Sequence, residues 1–233
     1  MQNINLSKRL KKVASYIPRN SKIADIGSDH AYLPCYALQN GLINEAIAGE
    51  VNEGPYLSAV HTVEECQLST LVQCRLGNGL SVISKGEVDC IIIAGMGGEL
   101  IKQILENGKS QLSTKERLIL QPNVASDRVR TWLDTNDWSI IDESILEEDQ
   151  HIYEIIVAEK SKEIHQNLSD IERLMGPYLI KEKNDVFIKK WAHEADKMRK
   201  IIESLKETTQ TENILNKIEL FRERENQIRR QLK

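Results

Sequence analysis

The residues best equipped for chemistry are acids set around glycine turns. Asp25-Ile26-Gly27-Ser28-Asp29-His30 flanks one glycine with two carboxylates, and Ala48-Gly49-Glu50-Val51-Asn52 supplies a third acid 23 positions after Gly27. A dinucleotide-binding turn requires G-x-G-x-x-G, so that a diphosphate can reach bare backbone at a helix N-terminus. Here Asp29 stands where the second glycine would be, and a carboxylate there repels phosphate. The pair Asp25 and Asp29 instead favours a ligand that is positively charged near the turn. An acid about 20 residues beyond such a turn has the spacing at which a carboxylate takes ribose hydroxyls, which makes Glu50 the expected ribose ligand. A plainer reading, in which Asp25 and Asp29 only cap the following helix, stays open at this point.

Two further glycine segments belong to the same pattern. Leu76-Gly77-Asn78-Gly79-Leu80 can bring a small loop to an adenine ring, with the Asn78 amide able to donate and accept; an ordinary Asn-Gly turn has the same sequence. Ala94-Gly95-Met96-Gly97-Gly98 exposes backbone polar groups, and with no Gly-Lys-Ser/Thr after it a phosphate loop is disfavoured. S-adenosylmethionine carries a sulfonium and an ammonium but no phosphate, so the charge argument selects it as cofactor. Its expected contacts are Asp25, Gly27, Ser28, His30, Glu50, Val51, Asn52, Asn78, Gly79, Ala94 and Met96.

These segments need a sheet to align them. Short apolar runs alternate with helical patterns from Ser21 to Lys160, the signature of βαβ units in a mostly parallel sheet. Strands are expected at Lys22–Ile26, Glu45–Val51, Thr70–Leu76, Val88–Ala94 and Arg117–Gln121, with helices beginning near Ala31, Pro55, Gly97 and Ala125. Trp138–Leu146 and Ile152–Ala158, divided by Glu147-Glu148-Asp149-Gln150, read as an antiparallel closing hairpin. Beyond Lys160 the pattern is helical only. Phe187, Trp191, Ala195, Met198, Ile202 and Leu205 recur at steps of three and four. After a capping box at Thr209-Gln210-Thr211-Glu212, Leu215, Ile218, Phe221 or Arg222, and Ile228 continue a second stripe to Leu232. The expected organisation is therefore an α/β domain over 1–160 and an antiparallel helical hairpin or coiled coil over 161–233.

Composition narrows the class. The chain has 233 residues, 40% hydrophobic and 28% charged, which excludes disordered and fibrous classes. No run approaches the roughly 20 apolar residues of a membrane helix, and Met1-Gln2-Asn3-Ile4 opens no charged leader, so a cytoplasmic protein is expected. Cys35, Cys66, Cys74 and Cys90 sit singly in apolar runs and fit reduced thiols rather than a metal site. Residues 1–160 hold 15 Lys+Arg against 22 Asp+Glu, whereas 161–233 hold 16 against 13, and the first 22 residues have six basic side chains and no acid. Basic ends around an acidic middle suit a polyanion partner and a cationic ligand, although solvated helix faces explain either end equally well.

Asp25-Ile26-Gly27-Ser28-Asp29-His30-Ala31-Tyr32-Leu33-Pro34, Ala48-Gly49-Glu50-Val51-Asn52-Glu53-Gly54-Pro55, Ala94-Gly95-Met96-Gly97-Gly98 and Leu120-Gln121-Pro122-Asn123 closely resemble the bacterial tRNA (adenine-22-N1) methyltransferase family, a branch of the class I S-adenosylmethionine methyltransferases. The general motif of that class is acid-x-Gly-x-Gly-x-Gly; here Asp25 and Gly27 match, and Asp29 and Ala31 replace glycines. The resemblance spans nearly the whole chain. It implies a Rossmann-like sheet followed by a helical hairpin, and methylation of adenine N1 in the D-loop region of tRNA.

A ring nitrogen has an in-plane lone pair, so the reaction needs alignment more than a strong base. That agrees with the absence of an Asn/Asp-Pro-Pro-aromatic box after the fourth strand. Asp29 is then the first candidate to stabilise the developing cation, with the Gly95 carbonyl and Asn123 as orienting groups. N1 lies on the pairing edge, so the base must leave its stack, and Tyr32, Tyr56 and Met96 are candidate pocket walls. His30 and His61 could meet substrate, but plain packing is the commoner use of such side chains. Lys8, Arg9, Lys11 and Lys12, with Lys189, Lys190, Lys197, Arg199 and Lys200, are the expected phosphate contacts. A monomer, or a weak dimer through the helical hairpin, is expected. The alternatives are a methyltransferase for another RNA or a small molecule, and a non-catalytic RNA-binding adaptor.

Overall fold

The computed structural model describes residues 3–160, 167–207 and 211–233, which divide into two compact units, 1–167 and 168–233. The first is built on seven strands: β1 (Ser21–Ile26), β2 (Ile43–Glu50), β3 (Val72–Leu76), β4 (Cys90–Gly97), β5 (Arg117–Val124), β6 (Trp138–Glu148) and β7 (His151–Lys160). Their order across the sheet is β3-β2-β1-β4-β5-β7-β6. The first five run parallel, and β7 lies antiparallel between β5 and β6. Burial on both faces explains the unbroken apolar runs of the central strands: Ile23, Ile91, Ile92, Ile93, Leu118, Ile119 and Leu120 are all fully buried. The strand order reverses between β1 and β4, and it is beyond the carboxyl ends of strands at such a point that open α/β sheets bind ligands.

Helices α1 (Lys8–Ala14), α2 (Tyr32–Gln39), α3 (Glu53–Glu65), α4 (Gly98–Asn107) and α5 (Ser126–Thr135) complete the first unit. The β6–β7 connection is the two-residue turn Asp149-Gln150, with φ of 49° and 65°; two successive left-handed residues match the twist of a tight hairpin. The hairpin strands extend past their expected limits because every residue from Asp142 to Glu148 finds a partner on β7. The largest departure is at β4. It runs on through Gly95, Met96 and Gly97, where a loop is expected, because β5 also continues and pairs Met96 with Pro122 and Gly97 with Val124. Gly95 itself is skipped in that pairing and sits in an irregularity between Ala94 and Met96.

The second unit contains two short helices that the periodicity does not resolve, α6 (Asp170–Met175) and α7 (Pro177–Glu182), followed by α8 (Asp185–Lys206) and α9 (Glu212–Leu232). Ser169 and Glu172 form a reciprocal capping box on α6, and Asn184 caps α8. Phe187, Trp191, Ala195 and Ile202 of α8 are buried, as are Ile218 and Ile228 of α9. Leu215, expected on the second stripe, is exposed. Thr211 caps α9 by accepting the Ile214 N–H, whereas Thr209 of the expected capping box lies outside the described residues. All four cysteines are free.

Candidate active site

A crevice of about 460 Å³ opens at the carboxyl ends of β1, β2 and β4. Asp25, the penultimate residue of β1, is buried in its floor, and its Oδ2 accepts the Ser28 hydroxyl at 2.6 Å. Burial pushes the Asp25 carboxyl up to about 6; the Ser28 hydrogen bond opposes the rise and neighbouring Glu50 adds to it. Glu50 ends β2, is equally buried, and accepts the Asp29 backbone N–H. The acids at adjacent strand ends are therefore tied together through the turn between them.

That turn retains a glycine-like backbone without the glycines. Gly27 has φ of +73°, a conformation that favours glycine, and the Met96 side chain of β4 packs against its open face, 2.1 Å from where a Cβ would stand. Asp29 and Ala31, at the positions where the class motif has glycine, keep left-handed φ of 60° and 54°. Such a conformation costs an L-residue roughly 1–2 kcal/mol. The Asp29 N–H on Glu50 offsets part of that cost. The Asp29 side chain is exposed at the crevice, 3.8 Å from the His30 Nε2, and the His30 ring stacks on Tyr32 with centroids 5.0 Å apart.

Of the expected cofactor contacts, Asp25, Gly27, Ser28, His30, Glu50, Val51, Asn52, Ala94 and Met96 all line the crevice; Asp29, Tyr32 and Gly95 join them. Asn78 and Gly79 do not. They begin a single 3₁₀ turn, Gly79–Val82, where Asn78 is exposed and Gly79 faces Ile104 of α4. Tyr56 also lies outside the crevice lining, and His61 is exposed on α3 beside Glu65 at 3.3 Å.

Asn123 and the Gly95 carbonyl are brought together directly, because Asn123 Nδ2 donates to that carbonyl at 2.8 Å. Their link is Gln121, a residue outside the expected site. It is fully buried within β5; its Oε1 accepts the Gly95 N–H at 3.0 Å, and its Nε2 donates to Asn123 Oδ1 at 3.2 Å. A polar residue closing the apolar run Leu118-Ile119-Leu120 was the available signal.

The same Gln121 oxygen accepts the guanidinium of Arg9, which the sequence placed among the phosphate contacts. Arg9 lines the crevice, with its guanidinium 5.3 Å from the Tyr153 ring centroid. Lys8 and Lys11 are exposed, and Lys12 stands 5.0 Å over the Tyr16 ring. In the second unit Lys189, Lys197, Arg199 and Lys200 are exposed on α8, with Lys197 paired to Glu194 at 2.8 Å and Arg199 to Glu225 at 3.5 Å. Lys190 lies 5.0 Å over the Trp191 ring. Among the described residues no cluster of His, Cys, Asp and Glu is arranged to hold a metal ion.

A doubly wound sheet with an acid-lined crevice at its switch point defines a Rossmann-like enzyme built for a cationic nucleoside rather than a diphosphate. The particular family follows from comparison. The model of the tRNA (adenine(22)-N(1))-methyltransferase family matches residues 23–228, and the chain belongs to that family. It is 48% identical to the tRNA (adenine(22)-N(1))-methyltransferase of Bacillus subtilis over 96% of this chain and 95% of that protein. The crystal structure of the B. subtilis M1A22 tRNA methyltransferase TrmK superposes with a TM-score of 0.94 at 46% identity, covering 99% of this chain and 100% of that one. The Streptococcus pneumoniae protein Sp1610 in complex with S-adenosyl-L-methionine gives a TM-score of 0.85 at 43% identity, over 98% of this chain and 100% of that one.

Proposed function

We propose that the crevice binds S-adenosylmethionine and that the chain transfers its methyl group to N1 of adenine 22 in the D-loop region of tRNA. The observation that carries this reading is the buried pair Asp25 and Glu50 beside the Gly27 turn, with the Met96 side chain packed against it. Acids in that floor complement the ammonium and sulfonium of the donor, and Glu50 at the β2 end is assigned to the ribose hydroxyls. In the transfer, the adenine N1 lone pair forms the bond to the methyl carbon while the carbon–sulfur bond breaks and its electron pair stays on sulfur. Positive charge passes from sulfur to the adenine ring and its N6 amino group. Asp29, exposed at the crevice with its backbone held by Glu50, offers a carboxylate to that charge, while the Gly95 carbonyl orients the amino edge. Tyr32 and Met96 supply apolar walls for a base taken out of its stack.

Lys8, Lys11 and Lys12, with the α8 residues Lys189, Lys190, Lys197, Arg199 and Lys200, are assigned to tRNA phosphates. The α8–α9 hairpin serves a monomer or a weak dimer, and the protein works in the cytoplasm. Incubation with unmodified bulk tRNA and labelled donor, followed by nucleoside digestion, is expected to yield labelled 1-methyladenosine. Absence of label from RNA would remove the tRNA assignment. Calorimetric heat with NAD but none with S-adenosylmethionine would remove the cofactor.

A further inference from the structure

The backbone of Gly95 is unusual in its support. Its neighbours Ala94 and Met96 pair with Gln121 and Pro122 of β5, but Gly95 is passed over and adopts φ of +80°. Its N–H and C=O are instead held by two side chains, Gln121 and Asn123. The orientation of the peptide facing the crevice thus depends on which way two amides point.

Hydrogen-bond capacity fixes that choice. A backbone N–H and a guanidinium only donate, so the Gln121 atom that meets both must be its oxygen. Nε2 is then left to donate to Asn123 Oδ1, and Asn123 Nδ2 in turn must meet the Gly95 carbonyl. Flipping Gln121 would press its NH₂ against two donors in a fully buried position. Arg9 is the only charged member of this chain of bonds, and it is anchored from several sides. Glu148, at the end of β6, accepts the backbone N–H of Lys8 at 2.6 Å and of Arg9 at 3.1 Å, while Tyr153 of β7 lies under the guanidinium.

We propose that Arg9 is a positioning residue for methyl transfer: acting through Gln121 and Asn123, it sets the Gly95 peptide against which the target adenine is aligned, and it does not serve as a tRNA phosphate contact. The inference rests on the methyl-transfer reading. It assigns the first helix two separate duties, since its exposed Lys8 and Lys11 remain free to meet RNA while Arg9 is turned inward.

The test is steady-state kinetics on full-length Arg9→Met and Gln121→Glu, with donor affinity and unfolding midpoint measured on the same samples. Met keeps the length of the stem without a donor. Glu keeps both acceptor contacts but cannot donate to Asn123. Each variant is expected to lose about tenfold or more in kcat at saturating tRNA and donor, because small misplacements of reacting groups carry penalties of that order. The tRNA KM and donor Kd should stay within about threefold of wild type, and the double variant should fall no further than Gln121→Glu alone, since groups acting as one unit are not additive. A raised tRNA KM with kcat retained in Arg9→Met would make Arg9 a phosphate contact and overturn the proposal. Additive losses in the double variant, or wild-type kcat in Gln121→Glu, would overturn it as well. Wild-type turnover on the same tRNA separates failure of this inference from failure of the activity beneath it.

Discussion

At the scale of single residues, Asp25 is the group whose ionisation should govern donor binding. Its folded pKa of about 6 lies above the ordinary 3.8 because burial disfavours the charged form. The sign follows: the free protein holds a proton there that the unfolded chain has released, so this group's contribution to stability falls as pH rises from 3.8 through about 6. A cationic donor reverses the preference, since it binds the carboxylate form. Donor affinity measured by calorimetry should therefore rise as pH increases through about 6 and level off above it. Asp25→Asn should flatten the profile, and a profile already flat in wild type would remove Asp25 from the charge match. The neighbouring acids are separable by kinetics. Asp29→Ala is expected to lower kcat more than donor affinity, whereas Glu50→Ala should chiefly weaken the donor; the reverse pattern would exchange their roles. Because the Asp29 N–H rests on Glu50, the Glu50 variant should also carry some of the Asp29 defect.

Between elements, the closing hairpin is tied to α5 by buried charge. Arg130 is fully buried and donates to Glu143 of β6 and Glu154 of β7, each at 2.7 Å. Burial alone would lower its pKa, but the attraction of two carboxylates and their hydrogen bonds raises it, so it stays charged. Arg130→Met would strand two buried carboxylates, and a loss of about 3–5 kcal/mol is expected in urea unfolding. A loss below about 1 kcal/mol would mean the acids take up protons at little cost. A second tie shows the opposite pH sense to Asp25. The Arg75 hydrogen bond on Glu87, helped by the Ser84 N–H and the nearby charges of Arg75 and Lys22, draws its carboxyl from 4.5 down to about 2. That contribution is complete above 4.5 and lost as pH falls from there to about 2, so acid unfolding of Glu87→Gln should show a shallower dependence over this window than wild type.

For the whole molecule, the uneven charge gives the prediction. The stretch from 161 to 233 carries 16 basic residues against 13 acidic, although the complete chain is at −4. If α8 meets tRNA phosphates, the double charge reversal Lys189→Glu and Lys200→Glu should raise the tRNA KM severalfold and reduce the slope of binding against salt, with donor affinity unchanged. Unaltered KM at low salt would leave the second unit without a part in capture.

Much of the first unit was legible from local pattern. Apolar runs buried on both faces announced β1, β2, β4 and β5, and the Glu147–Gln150 turn announced the hairpin, because strand burial and turn chemistry are written in adjacent residues. The acids and the Gly27 turn were legible for the same reason: a strand end, a turn and the next helix are contiguous, and parallel strands bring their carboxyl ends to one edge. What tertiary structure decided were the partners of residues far apart in the chain. Arg9 and Gln121 are 112 positions apart, and Arg9 and Glu148 are 139 apart. A basic side chain at the surface and one turned into a crevice look alike in sequence. The insertion of β7 between β5 and β6 is what carries Tyr153 and Glu148 to α1, and with them the direction in which Arg9 points. Periodicity reports which face of an element is buried; only the closed sheet determines what that face is buried against.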